Sequence, residues 1–138
     1  MREILKDLNA TRGVHGSAVV LEDGVIVAAE LAAGTDPDSF AALVSSFIAQ
    51  ATRSLPKLQL SKVKRAMVTA SRGCFALTSL GGAFLVAELE RDVEPSVVDI
   101  ELESAAGRLR RLMRPRGESN VPAALPVRGV APEPARVA

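Results

Sequence analysis

From Asp36 to Leu55 bulky apolar residues return with the period of an α-helix. Phe40, Leu43, Val44, Phe47, Ile48, Ala51 and Leu55 fall on one stripe at about 100° per residue, and such a stripe must face a core. Asp36 suits the N-cap and Pro37 the first helical position, while Asp38 puts negative charge where the helix dipole favours it. No residue from Ser39 to Thr52 is charged. The face opposite the stripe carries Ala42, Ser45, Ser46 and Ala49, with Gln50 beside them and Arg53 at the end. Water normally selects charge on such a face. Small neutral side chains instead admit a second helix to the roughly 8–10 Å separation of packed axes, so the pattern predicts a helix held between its own sheet and another protein. Burial inside one larger domain is the alternative, for which the chain is short. A charge at Ala49 is accordingly expected to yield monomer or insoluble protein.

The flanking segments read in order. Met1–Thr11 predicts a short helix with Ile4, Leu5 and Leu8 on one face, stopped at Gly13. Gly16–Leu21 and Val25–Leu31 are β-rich runs joined through Asp23-Gly24, a strong hairpin signal because the tight turn needs positive φ. Pro56 ends the central helix, and Leu58–Lys64 is an ambiguous connector. Arg65–Ser71, Cys74–Leu80 and Ala83–Leu89 predict three strands separated by Arg72-Gly73 and Gly81-Gly82. The last of them is nearly all apolar, as suits a central, doubly covered position. Ser96 is expected to cap a final helix with Asp99 as its reciprocal partner, and Val98, Leu102, Ala105, Leu109, Leu112 and Met113 form its periodic face. Its acids (Asp99, Glu101, Glu103) come early and its bases (Arg108, Arg110, Arg111, Arg114) late, matching the helix dipole.

The predicted order is α-β-β-α-β-β-β-α: an α/β (α+β) domain with a single five-stranded, mostly antiparallel sheet. One helix covers one face and the terminal helices cover the other. The domain spans residues 1–114. Residues 115–138 hold five of the eight prolines and no periodicity, and read as a Pro/Ala/Arg-rich disordered tail.

Composition narrows the function classes. The 138 residues are 48 % hydrophobic with a net charge of +1, which argues for neither nucleic acid nor an anionic membrane as partner. Trp and Tyr are absent, so the core is aliphatic and base-stacking platforms are lacking. No apolar run approaches the roughly 20 residues of a membrane span, so no membrane insertion is expected. A single cysteine and a charged start without a signal pattern point to a reducing cytoplasm.

Catalytic and metal chemistry find no constellation. His15 is the only histidine, and neither a Ser-His-Asp set nor a multi-histidine metal site is assembled around it; it reads as a turn residue before the first strand. Cys74 reads as a small buried hydrophobe, with Arg72 its only nearby cation. Gly81-Gly82 lacks the spacing and lysine of a phosphate loop. Asp99, Glu101 and Glu103 look like a solvated helix start. Lys57, Lys62, Lys64 and Arg65 form a wet basic rim that could meet an acidic partner. No cofactor, metal or catalytic residue is expected.

The residues that now stand out are Gly13-Val14-His15-Gly16 before the first strand, the Asp23-Gly24 hairpin, the uncharged central helix and a glycine turn at Gly81 or Gly82. In this order they resemble the roadblock (dynein light-chain) family, over roughly residues 1–114. The resemblance implies a profilin-like roadblock sandwich that acts as a homodimer. It implies that the middle helices pair, placing Ala42, Ser45, Ser46, Ala49, Gln50 and Arg53 at the interface. It also implies that the third strands join edge to edge through Met67, Val68, Thr69 and Ala70. Members bind small Ras-like GTPases as scaffolds or activators. Such activators reposition the GTPase's own residues, so Arg53 and Arg72 are not to be read as arginine fingers, although arginine in trans is a known device. The expected function is a non-catalytic homodimeric regulator or scaffold for a small GTPase. A ligand-sensing domain or a structural subunit of a larger signalling complex is the alternative.

Overall fold

The computed structural model describes residues 1–114; the expectation for the segment 115–138 lies outside the described residues. The elements are α1 (Arg2–Asn9), β1 (Val14–Leu21), β2 (Ile26–Glu30), α2 (Pro37–Ser54), a 3₁₀ turn (Leu55–Leu58), β3 (Arg65–Ala70), β4 (Gly73–Ser79), β5 (Ala83–Leu89) and α3 (Pro95–Met113). The five strands form one sheet in the order β2-β1-β5-β4-β3. Every neighbouring pair is antiparallel, so the sheet is wholly rather than mostly so.

The two faces carry separate aliphatic cores. On one, α1 and α3 bury Leu5, Leu8, Val98, Leu102 and Leu109 against Leu85 and Leu89. On the other, α2 lays Phe40, Val44 and Ile48 across Val20, Leu77, Phe84 and Val86. β5 contributes to both cores and is the central strand, as its apolar run requires. Each fully buried leucine or valine contributes roughly 1.5–3 kcal/mol. The buried hydroxyl of Ser17 is satisfied: it donates to Asn9 Oδ1 at 2.7 Å.

α2 begins as expected. Asp36 Oδ2 accepts from the Ser39 hydroxyl at 2.6 Å and from the Ser39 amide at 3.1 Å. These two bonds, the hydroxyl first, hold the Asp36 carboxyl below its ordinary range. A carboxyl depressed in the folded state stabilises fully above roughly pH 4 and loses that contribution as the pH falls through its lowered value. Asp36→Ala should therefore lower the melting temperature at neutral pH, and the gap to the parent should narrow in melts below roughly pH 4.

α3 begins differently. Its N-cap is Glu94, with Pro95 at the first helical position and no side-chain cap hydrogen bond. Pro95 starts the helix ahead of Ser96, so the expected Ser96–Asp99 capping pair does not form; Ser96 Oγ donates to Glu94 Oε1 at 3.5 Å instead. The early acids of α3 also lie beyond its first turn, where the dipole has little effect. Asp99 and Glu103 instead meet Arg65, at 3.5 and 3.8 Å.

The two sheet edges differ. β2 is bulged: Val19 pairs with Ala28 and Val20 with Ile26, leaving Val27 as an extra residue. The Glu30 carbonyl beside it is taken by the Asn9 side-chain amide at 2.8 Å, and its carboxylate by Arg2 at 2.7 Å. β3 runs in unbroken register with β4 from Arg65↔Thr78 to Ala70↔Gly73, and among the described residues its outer edge has no such cover.

Candidate protein-docking interface

α2 sits over β1, β5 and β4, and of β3 only Ala66 packs at the margin of that core. Its covered residues are Phe40, Ala41, Val44 and Ile48, so the buried stripe is narrower than the sequence pattern and centred differently. Leu43, placed by that pattern in the core, is 53 % exposed. It overhangs an apolar groove of about 400 Å³ whose floor includes Val68 of β3 and Phe75 of β4. Phe47, one turn further on, meets Phe75 edge to face at 6.3 Å between ring centres.

The small-residue face of α2 divides accordingly. Ser45 points to the opposite flank: its hydroxyl donates to the Glu22 carbonyl at 3.5 Å, beside the hairpin turn. A Cβ on Gly24 there would lie 3.2 Å from Ser45 Cβ. Ala49 follows one turn later on that side and is half-buried. Ala42, Ser46, Gln50 and Arg53 are exposed, with Ser46 and Gln50 nearest the Leu43 flank. Arg53 donates to Gln50 Oε1 at 2.7 Å. On β3, Val68 and Ala70 line the groove under α2, while Met67 lies on the other sheet face, beside Asp99 and Leu102.

His15 lies within β1 rather than before it. The pairing of β1 with β5 shifts between Val14 and Gly16, and His15 is the residue left over, exposed at the rim of the same groove. Gly16 explains the shift. A Cβ there would come within 2.5 Å of both the Ala32 amide nitrogen and Glu88 Oε1. The vacant space lets the Glu88 carboxylate accept from the Ala32 amide at 3.0 Å and from the Thr35 hydroxyl at 2.7 Å. That clamp fixes the loop leading into α2, and so the placement of Leu43 over the groove. Cys74 lines the groove, half-buried; burial raises its thiol pKa, which makes it a poor nucleophile.

One signal in the sequence passes unnoticed when only net charge is read. Between Asp38 and Glu88 there is no carboxylate, yet six bases fall in that stretch: Arg53, Lys57, Lys62, Lys64, Arg65 and Arg72. Among the described residues only Arg65 of these is ion-paired. The α2–β3–β4 side is therefore cationic, and exposed Leu58 and Leu60 adjoin Lys57 and Lys62 in the connector. Among the described residues no group of three or more His, Cys, Asp or Glu could hold a metal ion, and no helix is long and apolar enough to cross a membrane.

A two-faced antiparallel sheet with α2 on one face and α1 and α3 on the other is the fold of the Roadblock/LC7 domain family, to which the chain belongs: the family model matches residues 1–88. Its relatives include an uncharacterized protein of Methanocaldococcus jannaschii, MJ0714, 28 % identical over 109 residues, spanning 79 % of this chain and 92 % of the relative. Among solved structures, a Roadblock/LC7 domain from Streptomyces avermitilis superposes with a TM-score of 0.76 at 14 % identity, covering 83 % of this chain and 98 % of that one. The gliding protein MglB from Thermus thermophilus superposes with a TM-score of 0.72 at 18 % identity, covering 80 % and 86 %. At these identities the solved structures share the fold. The family match leaves α3 outside its bounds.

Proposed function

We propose that the chain is a homodimeric regulator or scaffold for a small Ras-like GTPase, with no catalytic residues of its own. The observation that carries this reading is the continuity of one uncovered surface: the Leu43–Gln50 flank of α2, the groove beneath it and the unbroken outer edge of β3. A second copy related by a two-fold axis extends the sheet through Met67–Ala70 and brings its α2 alongside the first. Both lipophilic flanks are then covered, and both β3 edges satisfy their free N–H and C=O groups. The paired helices expose Ala42, Ala49 and Arg53 as a low, cationic roof. That surface suits a partner with an acidic, gently convex contact face. Regulation follows from holding the GTPase's mobile loops in one arrangement, which requires only differential affinity for its states.

The test uses the immobilised dimer and purified small GTPases from the same genome, loaded with GDP or a GTP analogue. Retention with accelerated GTP turnover is the expected outcome for an activator, and retention at unchanged turnover for a scaffold. If no GTPase is retained in either nucleotide state, the reading fails. A small molecule that raises the melting temperature while no protein binds would favour a sensing domain instead.

A further inference from the structure

The connector between α2 and β3 reads Lys57-Leu58-Gln59-Leu60-Ser61-Lys62-Val63-Lys64. Leu58 and Leu60 are 69 % and 59 % exposed, among the barest large apolar side chains of the described residues. Neither packs against either core. Their position is nonetheless fixed. The Gln59 amide donates to the Pro56 carbonyl at 2.9 Å and the Leu60 amide to the Leu55 carbonyl at 3.0 Å, the two bonds of a helix-ending Schellman turn. A side chain in the place of Leu60 frequently packs back on such a helix, yet Leu60 stands out in water. Gln59 (φ 61°) and Ser61 (φ 68°) are, among the described residues, the only non-glycine positions in left-handed backbone. A side chain is strained there. The chain thus holds strain on both sides of Leu60 in a conformation that leaves two leucines uncovered, and strain of this kind collects at functional segments.

The same turn is cationic. Lys57, Lys62 and Lys64 are exposed, and Arg53 is exposed one turn back on α2. Among the described residues none of the four forms an ion pair. Lys62 and Lys64 also line a cavity of about 440 Å³ with Ile48, Val63 and Phe84 among its walls and Glu22 as its one carboxylate. Asp99 and Glu103 are engaged by Arg65. We infer that residues 57–64 dock on an anionic lipid surface, with Leu58 and Leu60 entering the boundary between headgroups and acyl chains and Lys57, Lys62 and Lys64 lying among the lipid phosphates. Leucine at the tip and lysine around it is the composition that suits this boundary. The cores of protein interfaces instead deplete lysine and favour aromatics and arginine. The cavity beside Lys62 and Lys64 gives a headgroup room next to two ammonium groups. A net charge of +1 argues against an anionic membrane only as an average, since residues 39–87 hold six bases and no acid. Surface docking needs no spanning helix. It requires neither the dimer nor a GTPase.

Vesicle flotation of the full chain tests it. Phosphatidylcholine vesicles containing roughly one-third phosphatidylserine should carry the protein upward at low salt, and phosphatidylcholine alone should not. Binding should fall steeply in roughly 1 M salt, where charge is screened beyond about 3 Å. Each base near such a surface raises partitioning about fivefold, so replacing Lys57, Lys62 and Lys64 together by Gln should weaken binding roughly a hundredfold. Leu58→Ser with Leu60→Ser should weaken it at least about tenfold. All five side chains are exposed, so melting temperatures should stay at the parent value, which circular dichroism checks. The chain has no tryptophan, so Leu60→Trp reports on the turn alone, and its emission should shift to the blue on the anionic vesicles. A parent that stays in the aqueous fraction at low salt overturns the inference. So does binding that survives both sets of substitutions with the tryptophan unmoved, because another surface then carries it. Loss with the lysine variant but not with the leucine variant removes the entry of the leucines and overturns it as stated. A tryptophan that shifts with a purified acidic GTPase and not with vesicles makes the turn a protein contact instead.

Discussion

Leu43→Glu is expected to turn a dimer into a folded monomer. Leu43 is already half-exposed in the single chain, so a carboxylate there meets water and costs the isolated fold little. In the pair it would be buried near the like charge of its symmetry mate, against Val68 and Phe75, in a groove whose lining includes one guanidinium, Arg72. An unpaired buried charge costs roughly 3–5 kcal/mol; Arg72 offsets part of that, and a two-fold interface incurs the remainder twice. Dimer affinity should drop by at least about a thousandfold, which is about 4 kcal/mol. Sedimentation equilibrium reads the association, and a melt monitored by circular dichroism reads the fold. An unchanged dimer would show that this flank faces solvent. Ala49→Glu should cost the dimer far less, since Ala49 sits one turn beyond Ser45 on the flank toward the hairpin.

The second large effect concerns stability. Gly16→Ala adds one methyl group where the backbone of the 31–32 segment and the Glu88 carboxylate already lie within 3 Å of its position. Neither neighbour is a free side-chain end. Relief requires the hairpin and the loop into α2 to move apart, which breaks the Glu88 bonds to Ala32 and Thr35. Overpacking of this kind costs roughly 1–3 kcal/mol, and the lost bonds to a charged acceptor add about 1.5–3 kcal/mol. Urea unfolding should show a clearly lower midpoint with an unchanged slope. The same substitution at Gly34, where an added Cβ meets nothing within 4 Å, controls for added bulk; its positive φ of 92° leaves a strain cost of its own.

These two residues also mark what the chain announces and what it withholds. All eight main elements and their order are legible because each rests on local chemistry: Asp36-Pro37 at a helix start, Asp23-Gly24 at a hairpin, the apolar run of Ala83–Leu89 for a central strand. The opposite placement of α2 and the terminal helices is legible too, since three amphipathic helices cannot share one face of a five-stranded sheet. The flank of α2 that stays bare is not. Periodicity fixes how wide an apolar stripe is, whereas Leu43 is exposed because α2 lies over β1, β5 and β4, a choice made by the sheet order. His15 and Gly16 are similar. The motif is visible, but its meaning depends on Glu88, far along the chain, reaching over the missing side chain. The Ser96 cap failed for a local reason: Pro95 could open the helix two positions earlier, with Glu94 in the cap position. The basic side of the molecule was legible all along in the absence of acids between Asp38 and Glu88, and was hidden by a near-zero total.

The unlike margins of the sheet carry one more consequence. A filament of sheets needs two pairable borders on every unit, one to receive and one to give. Here the kinked strand is capped at Glu30 and pairs poorly, and the proposed dimer would use up the plain one. In that dimer, growth through backbone pairing terminates at the first encounter. Crowding such molecules should produce closed couples rather than fibrils.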